Sequence, residues 1–117
     1  MRKVTEKTAK ALLHGQSLGM GNTHVHTAQL PNLESVGYLY LHGNLIATYE
    51  RNNGGVNTLT ITNCNWWTPT TKERLNGILK VFGVNWHIYQ KDYSWFIMDF
   101  MKRSHEFYNN MSFDIDR

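Results

Sequence analysis

Pro69-Thr70-Thr71-Lys72-Glu73-Arg74-Leu75-Asn76-Gly77-Ile78-Leu79-Lys80-Val81-Phe82-Gly83 is the stretch that decides the fold class. Thr70-Thr71-Lys72-Glu73 has the form of a capping box preceded by Pro69. Leu75, Ile78, Leu79 and Phe82 recur at the spacing of one apolar helical stripe, and Gly83 ends the run. The pattern predicts a helix over residues 70–82 with one face to bury.

The surface for that face lies upstream. Val36-Gly37-Tyr38-Leu39-Tyr40-Leu41 alternates two residue classes, with leucines on one side and tyrosines on the other. Thr23-His24-Val25-His26-Thr27-Ala28 is rich in β-branched residues, and Pro31-Asn32 breaks the chain after it. His42-Gly43-Asn44 is a tight-turn signal. Residues 45–50 and 56–62 flank Asn52-Asn53-Gly54-Gly55, a hairpin whose turn needs positive φ. Residues 84–90 and 93–98 read as a second hairpin around Lys91-Asp92.

A first helix is expected over residues 4–15, with Thr5 as N-cap, Val4 and Ala9 at staple positions and Gly15 past its end. Residues 16–21 then form a Gly-rich connector. The tail from Asp99 is open: Phe100, Phe107 and Met111 fit one helical face with Asp99 as cap, whereas Asn109-Asn110 opposes a helix. The expected fold is α+β. It has a single, mostly antiparallel sheet of five to six strands with both helices packed on it, and room for a C-terminal helix.

At 117 residues the chain is one domain on length, and no apolar run approaches a membrane span. Met1-Arg2-Lys3-Val4-Thr5-Glu6-Lys7 is basic without an apolar stretch behind it, so no secretory leader is expected. A single cysteine, Cys64, cannot form an internal disulfide and points to a reducing compartment. A net charge of +3 excludes an acidic mimic of DNA.

Few residues have the spacing that chemistry needs. His24 and His26 share one strand face, and His42 or His87 would supply a third zinc ligand. A solvated strand face explains the pair equally, and no cysteine pair or carboxylate stands at ligand spacing, so no metal and no other cofactor is expected. Cys64 with His87 would make a thiol and base, but Cys64 precedes the helix by several residues in an Asn-rich segment. No phosphate loop, catalytic triad or carboxylate pair is visible, and no enzymatic activity is expected.

The aromatic residues are more informative. Tyr38, Tyr40 and Tyr49 are expected opposite the leucine face, with Trp66 and Trp67 beside them. Such a face stacks unpaired bases, docks a protein, or is covered by the tail or a twin subunit in a homodimer. Lysine and arginine are not interleaved with the tyrosines, which favours a protein. The start of the second helix places Thr70, Thr71, Lys72 and Arg74 where a phosphate or nucleic acid would bind.

Three segments carry a resemblance. Leu39-Tyr40-Leu41-His42-Gly43-Asn44-Leu45-Ile46-Ala47, Trp66-Trp67-Thr68-Pro69-Thr70-Thr71-Lys72-Glu73-Arg74-Leu75-Asn76 and the opening Gly21-Asn22-Thr23-His24-Val25 resemble a family of small bacteriophage proteins of unknown function. The likeness covers most of residues 4–98, with Asn65 where that family tends to have glycine. The resemblance implies a protein working in the cytoplasm of an infected bacterium. It implies engagement of a host protein or ribonucleoprotein complex, as an inhibitor of a defence system such as an anti-CRISPR. A nucleic-acid-binding module is the alternative.

The apolar stripe yields the first test. Leu79→Ala is expected to cost roughly 2–5 kcal/mol in chemical denaturation. A loss below about 0.5 kcal/mol would show that another face is buried.

Overall fold

The structure is a computed structural model that describes residues 1–116. Helix α1 (Lys3–His14) leads into strands β1 (Leu18–Met20), β2 (Thr23–Leu30), β3 (Leu33–Leu41), β4 (Asn44–Arg51) and β5 (Asn57–Ile61). Helix α2 (Pro69–Val81) follows, then β6 (His87–Lys91), β7 (Ser94–Met98), β8 (Ser104–Glu106) and β9 (Met111–Ile115). Two antiparallel sheets form: one of six strands ordered β1-β2-β3-β4-β5-β9, and one of three, β6-β7-β8. The α+β class is as expected, but the strands divide between two sheets instead of one.

Two local expectations change. The connector at residues 16–21 contains β1, whose Gly19 pairs with His24. The tail is β8 and β9, not a helix. Met111, Phe113 and Ile115 alternate with Ser112 and Asp114, and β9 pairs along β5 with Met111 opposite Ile61. That period of two overrides the looser helical spacing of Phe100, Phe107 and Met111. Phe100 is exposed, while Phe107 and Met111 reach the core.

Helix ends follow local chemistry, though not always at the expected residue. Gly15 closes α1 in the left-handed conformation at φ 70°, and its N–H donates to the Ala11 carbonyl. Arg2, not Thr5, occupies the N-cap position, without a side-chain cap. For α2 the N-cap is Thr68, two residues before the expected box. Its Oγ accepts the Thr71 N–H at 3.1 Å, and Pro69 takes the first helical position. Glu73 is therefore freed from capping. Leu75, Ile78, Leu79 and Phe82 are buried as read.

The β3–β4 turn is His42-Gly43, with φ 51° and 78°, the two-residue turn that matches strand twist. Lys91 pairs with Ser94, so the later hairpin turns on Asp92-Tyr93, one residue beyond the expected pair.

Residues 37, 39 and 41 face inward. A Cβ on Gly37 would stand 2.7 Å from Leu12 Cδ1, so α1 lies directly on β3 there. Tyr49 pairs with Gly37, which puts it on this inner face and not with Tyr38 and Tyr40. It is 1 % exposed, its ring edge-on to Phe82 at 4.8 Å, its hydroxyl accepting from Asn57 at 3.1 Å. The core runs without a break through both helices and both sheets, from Leu12 and Leu39 to Ile88 and Ile97.

Arg74 ties α2 to this frame from inside. The residue is 2 % exposed. Its guanidinium donates to Thr23 Oγ1 at 3.0 Å, Thr5 Oγ1 at 2.9 Å and Asn22 Oδ1 at 3.3 Å, and pairs with Glu73. The Thr5 hydroxyl in turn donates to Glu73 Oε1 at 2.6 Å. Burial pushes the Glu73 carboxyl up. Hydrogen bonds from Thr5, the Arg2 N–H and Arg74, with the Arg74 charge, outweigh it and hold Glu73 below the ordinary glutamate value.

The same joint explains Gly77, which sits inside a helix. A Cβ there would lie 2.1 Å from Thr5 Cγ2. Alanine gains about 1 kcal/mol of helix propensity. Thr5 is held by its hydrogen bonds and cannot move aside, so Gly77→Ala is expected to lose about 1–3 kcal/mol net in urea denaturation. Adding Thr5→Ser, which removes the methyl and keeps the hydroxyl, is expected to restore most of that loss.

Candidate functional site

The loop between β5 and α2 is short, polar at its base and aromatic at its tip. Asn63 is fully buried, and its Oδ1 accepts the Asn65 N–H at 2.8 Å. Its own N–H donates to Asn109 Oδ1 at 3.0 Å, and Thr62 Oγ1 reaches the same atom at 2.8 Å. The Trp66 N–H donates to the Asn63 carbonyl at 2.8 Å. Cys64 and Asn65 both take left-handed backbone, φ 52° and 62°. The tolerance of asparagine for that region keeps the turn. Among the described residues Asn63 Nδ2 is buried without a protein partner. Left-handed non-glycine residues and an orphaned donor are costly, and such costs gather at functional sites.

This loop carries Trp66 and Trp67, 54 % and 53 % exposed. Trp66 walls a cleft of about 370 Å³. Leu41 and Ile46 form an apolar floor, and His42, Asn44 and the threonines at the start of α2 line the rest. Every lining residue comes from residues 39–47 or 66–76, two of the three segments that carry the resemblance. Distant segments of sequence thus meet in one hollow. Its lining has no carboxylate or thiol.

Trp67 forms the far side of the corner. It stands edge-on to Trp95 at 5.2 Å and to Phe107 at 6.5 Å, and lines a second hollow of about 340 Å³ with Tyr93 and Glu106. Tyr93 is 96 % exposed at φ 66°. The sequence reading missed Tyr93 and Glu106. A tyrosine after Asp92, where a two-residue turn prefers glycine, is the signal that marks Tyr93. Glu106 carries no such local signal.

The other predicted residues are dispersed. Tyr38 and Tyr40 lie on the outer face of the large sheet, half-buried, paired with His26 and His24. Tyr40 stacks on His24 at 4.9 Å. This face is opposite the core layer whose Leu41 and Ile46 underlie Trp66, so tyrosines and tryptophans form two surfaces and not one. Tyr49 belongs to neither. His42 approaches Asn22 at 3.4 Å, while His87 lines a groove beside α2. Among the described residues no three His, Cys, Asp or Glu side chains gather as a metal set would. Cys64 is exposed, and it does not line the groove that His87 lines.

The anion site expected at the start of α2 does not assemble. Arg74 points into the core, and Thr71 is buried with its N–H capped by Thr68. Pro69 has no N–H, and the Lys72 N–H donates to the Thr68 carbonyl. Among the described residues only the Thr70 N–H of the first turn has no partner, and Lys72 Nζ lies 3.5 Å from Gln90.

Asp99 positions β8 beside the corner. Its carboxylate accepts from the Met101 and Arg103 N–H groups at 2.9 and 3.0 Å, Arg103 Nε at 3.0 Å and His105 Nε2 at 2.8 Å. His105 stacks on Trp86 at 5.9 Å. The His105 hydrogen bond, helped by the Arg103 and Met101 amides and the Arg103 guanidinium against the opposing effect of burial, holds the Asp99 carboxyl far below the usual carboxylate range.

Fold and corner together define a small α+β protein with an aromatic loop corner and no helix among the described residues long and apolar enough to cross a membrane. The chain belongs to the Kyanoviridae Gp96 protein family, a bacteriophage family whose model matches residues 1–114. No curated protein and no solved structure matches it.

Asp99 gives a test by pH. Its depressed value means that the ionised form stabilises the fold above the ordinary aspartate range, and that this contribution fades as pH falls below it. Asp99→Asn is expected to be less stable than the native chain at neutral pH, with the gap in denaturation midpoint closing as the solution is acidified. A gap independent of pH would refute the clamp.

Proposed function

We propose that this chain is a binding protein and not an enzyme, acting in the cytoplasm of the infected bacterium on a host protein or ribonucleoprotein complex. Inhibition of a defence system, in the manner of an anti-CRISPR, is the role that this reading favours. The observation that carries it is the pair Trp66 and Trp67, each more than half exposed on a loop clamped by Asn63 and Asn109. Large rings held rigid lose little freedom on docking, and tryptophan is enriched among residues that dominate binding energy.

The cleft beside Trp66 supports the same reading. Its apolar floor and uncharged threonine rim suit the side chain of a partner residue better than an ionic reaction. The strand-turn and helix-start motifs that carry the resemblance form the two walls of this docking cleft. The outer tyrosine face, with Tyr38 and Tyr40, remains the surface for a second contact or a twin subunit. Nucleic acid is the second reading, since exposed tryptophans also stack bases. The inward turn of Arg74 removes a cation from it.

The test is affinity capture from infected host lysate. Trp66→Ala with Trp67→Ala is expected to leave far-UV circular dichroism unchanged and to weaken capture of the native partner at least about 30-fold. Full capture by the double variant would reject the corner. Binding to single-stranded DNA that falls steeply with salt would select the nucleic-acid reading instead.

A further inference from the structure

We infer that the hollow between Trp67 and Tyr93 is a subsite for a cationic side chain, arginine or lysine, presented by the protein partner. The inference rests on the protein-binding reading above and names the chemistry that the corner would recognise. Four aromatic residues line the hollow: Trp67, Tyr93, Trp95 and Phe107. Aromatic faces carry the negative side of a quadrupole and attract ammonium and guanidinium groups.

Glu106 lines the same hollow, exposed, and among the described residues it makes no ion pair with Lys, Arg or His. The lining itself contains no cation. A free carboxylate among aromatic rings is complementary to a positive guest and to no anionic one. The whole chain carries +3, so long-range attraction does not draw a cation to this face, and selection must come from these local groups.

The backbone supports a recognition role. Tyr93 is held at φ 66°, where a bulky residue is strained, and its ring is turned almost wholly to solvent. Glycine would fit that turn position better. A strained aromatic left almost wholly in solvent is what a ring kept for an external contact looks like. Glu106 is fixed from behind: β8 pairs with β7 with Glu106 opposite Phe96, and the Asp99 clamp holds the preceding turn. Arginine suits the site best, because its planar fork stacks on rings and bonds a carboxylate with two N–H groups.

The experiment uses N-acetyl-arginine amide as probe and N-acetyl-norleucine amide as neutral control, titrated into the full ¹⁵N-labelled chain. Saturable shifts are expected at the Trp67 indole N–H and the Tyr93 amide with the arginine probe alone. Glu106→Gln and Tyr93→Ala, both at exposed positions, are each expected to weaken binding by about threefold or more with an otherwise unchanged spectrum. No saturable shift, equal shifts with the neutral control, or undiminished binding by Glu106→Gln would overturn the subsite. Capture of a host partner that needs Trp66 but not Glu106, without arginine shifts, overturns the subsite and leaves the docking reading standing. Arginine shifts without any partner captured through Trp66 uphold the subsite and reject that reading.

Discussion

Arg74 is the constraint on which the arrangement depends. Its buried guanidinium joins α2 to the first turn of α1 and the start of β2 through Thr5, Asn22 and Thr23, with Glu73 as counter-charge. A buried charge is tolerated only when its hydrogen bonds are met, and removing one partner typically costs about 3–5 kcal/mol. The three segments are therefore locked in one relative position. The close approach of Thr5 to Gly77 is the packing counterpart of that lock. Because α2 cannot rotate, its first turn and the loop before it are delivered to one place above Leu41 and Ile46.

The costly features of the chain gather near that place. Left-handed Cys64 and Asn65, the orphaned amide of Asn63, and left-handed Asp92 and Tyr93 flank the two aromatic hollows. The large sheet shifts register between Ala28 and Leu30 and between Leu39 and Tyr40, but its outer face is held by side-chain pairs, with Tyr40 resting on His24 and Thr60 bonded to Ser112 at 3.0 Å. Stability spent on irregular backbone marks where rigid presentation of side chains matters. Membership of a phage protein family supplies the setting, and the corner supplies a surface on which partner chemistry can be reasoned.

Much of the frame was legible because it is local. The apolar stripe of α2, the alternation of leucine and tyrosine in β3, Gly15 at the end of α1 and the Asn-Gly turns all express periods or dihedral preferences spanning a few residues. The sequence also marked Trp66 and Trp67 as a corner of large rings before α2, while their exposure is a finding of the structure. The N-cap of α2 slipped by two residues because Thr68 and Thr70 are equally good caps in sequence, and Pro69 settles the choice by fitting only the first helical position.

Sequence alone thus determined the element types over most of the chain, the strand face that would be apolar and the aromatic character of the loop. Tertiary structure alone decided the rest. Pairing register turned Tyr49 inward, opposite Gly37, because faces are counted from the partner strand and not along the chain. The contact with Thr5 of α1 took Arg74 out of a candidate phosphate site and into the core, and capping by Thr68 took up the Thr71 N–H. The tail became β8 and β9 because the free edges of β5 and β7 offered backbone hydrogen bonds that a helix over those residues would have left unmet. Tyr93 and Glu106 meet Trp67 only across the chain fold. Local periodicity carries information over a few residues, whereas a site is assembled by contacts between segments whose separation no spacing rule records.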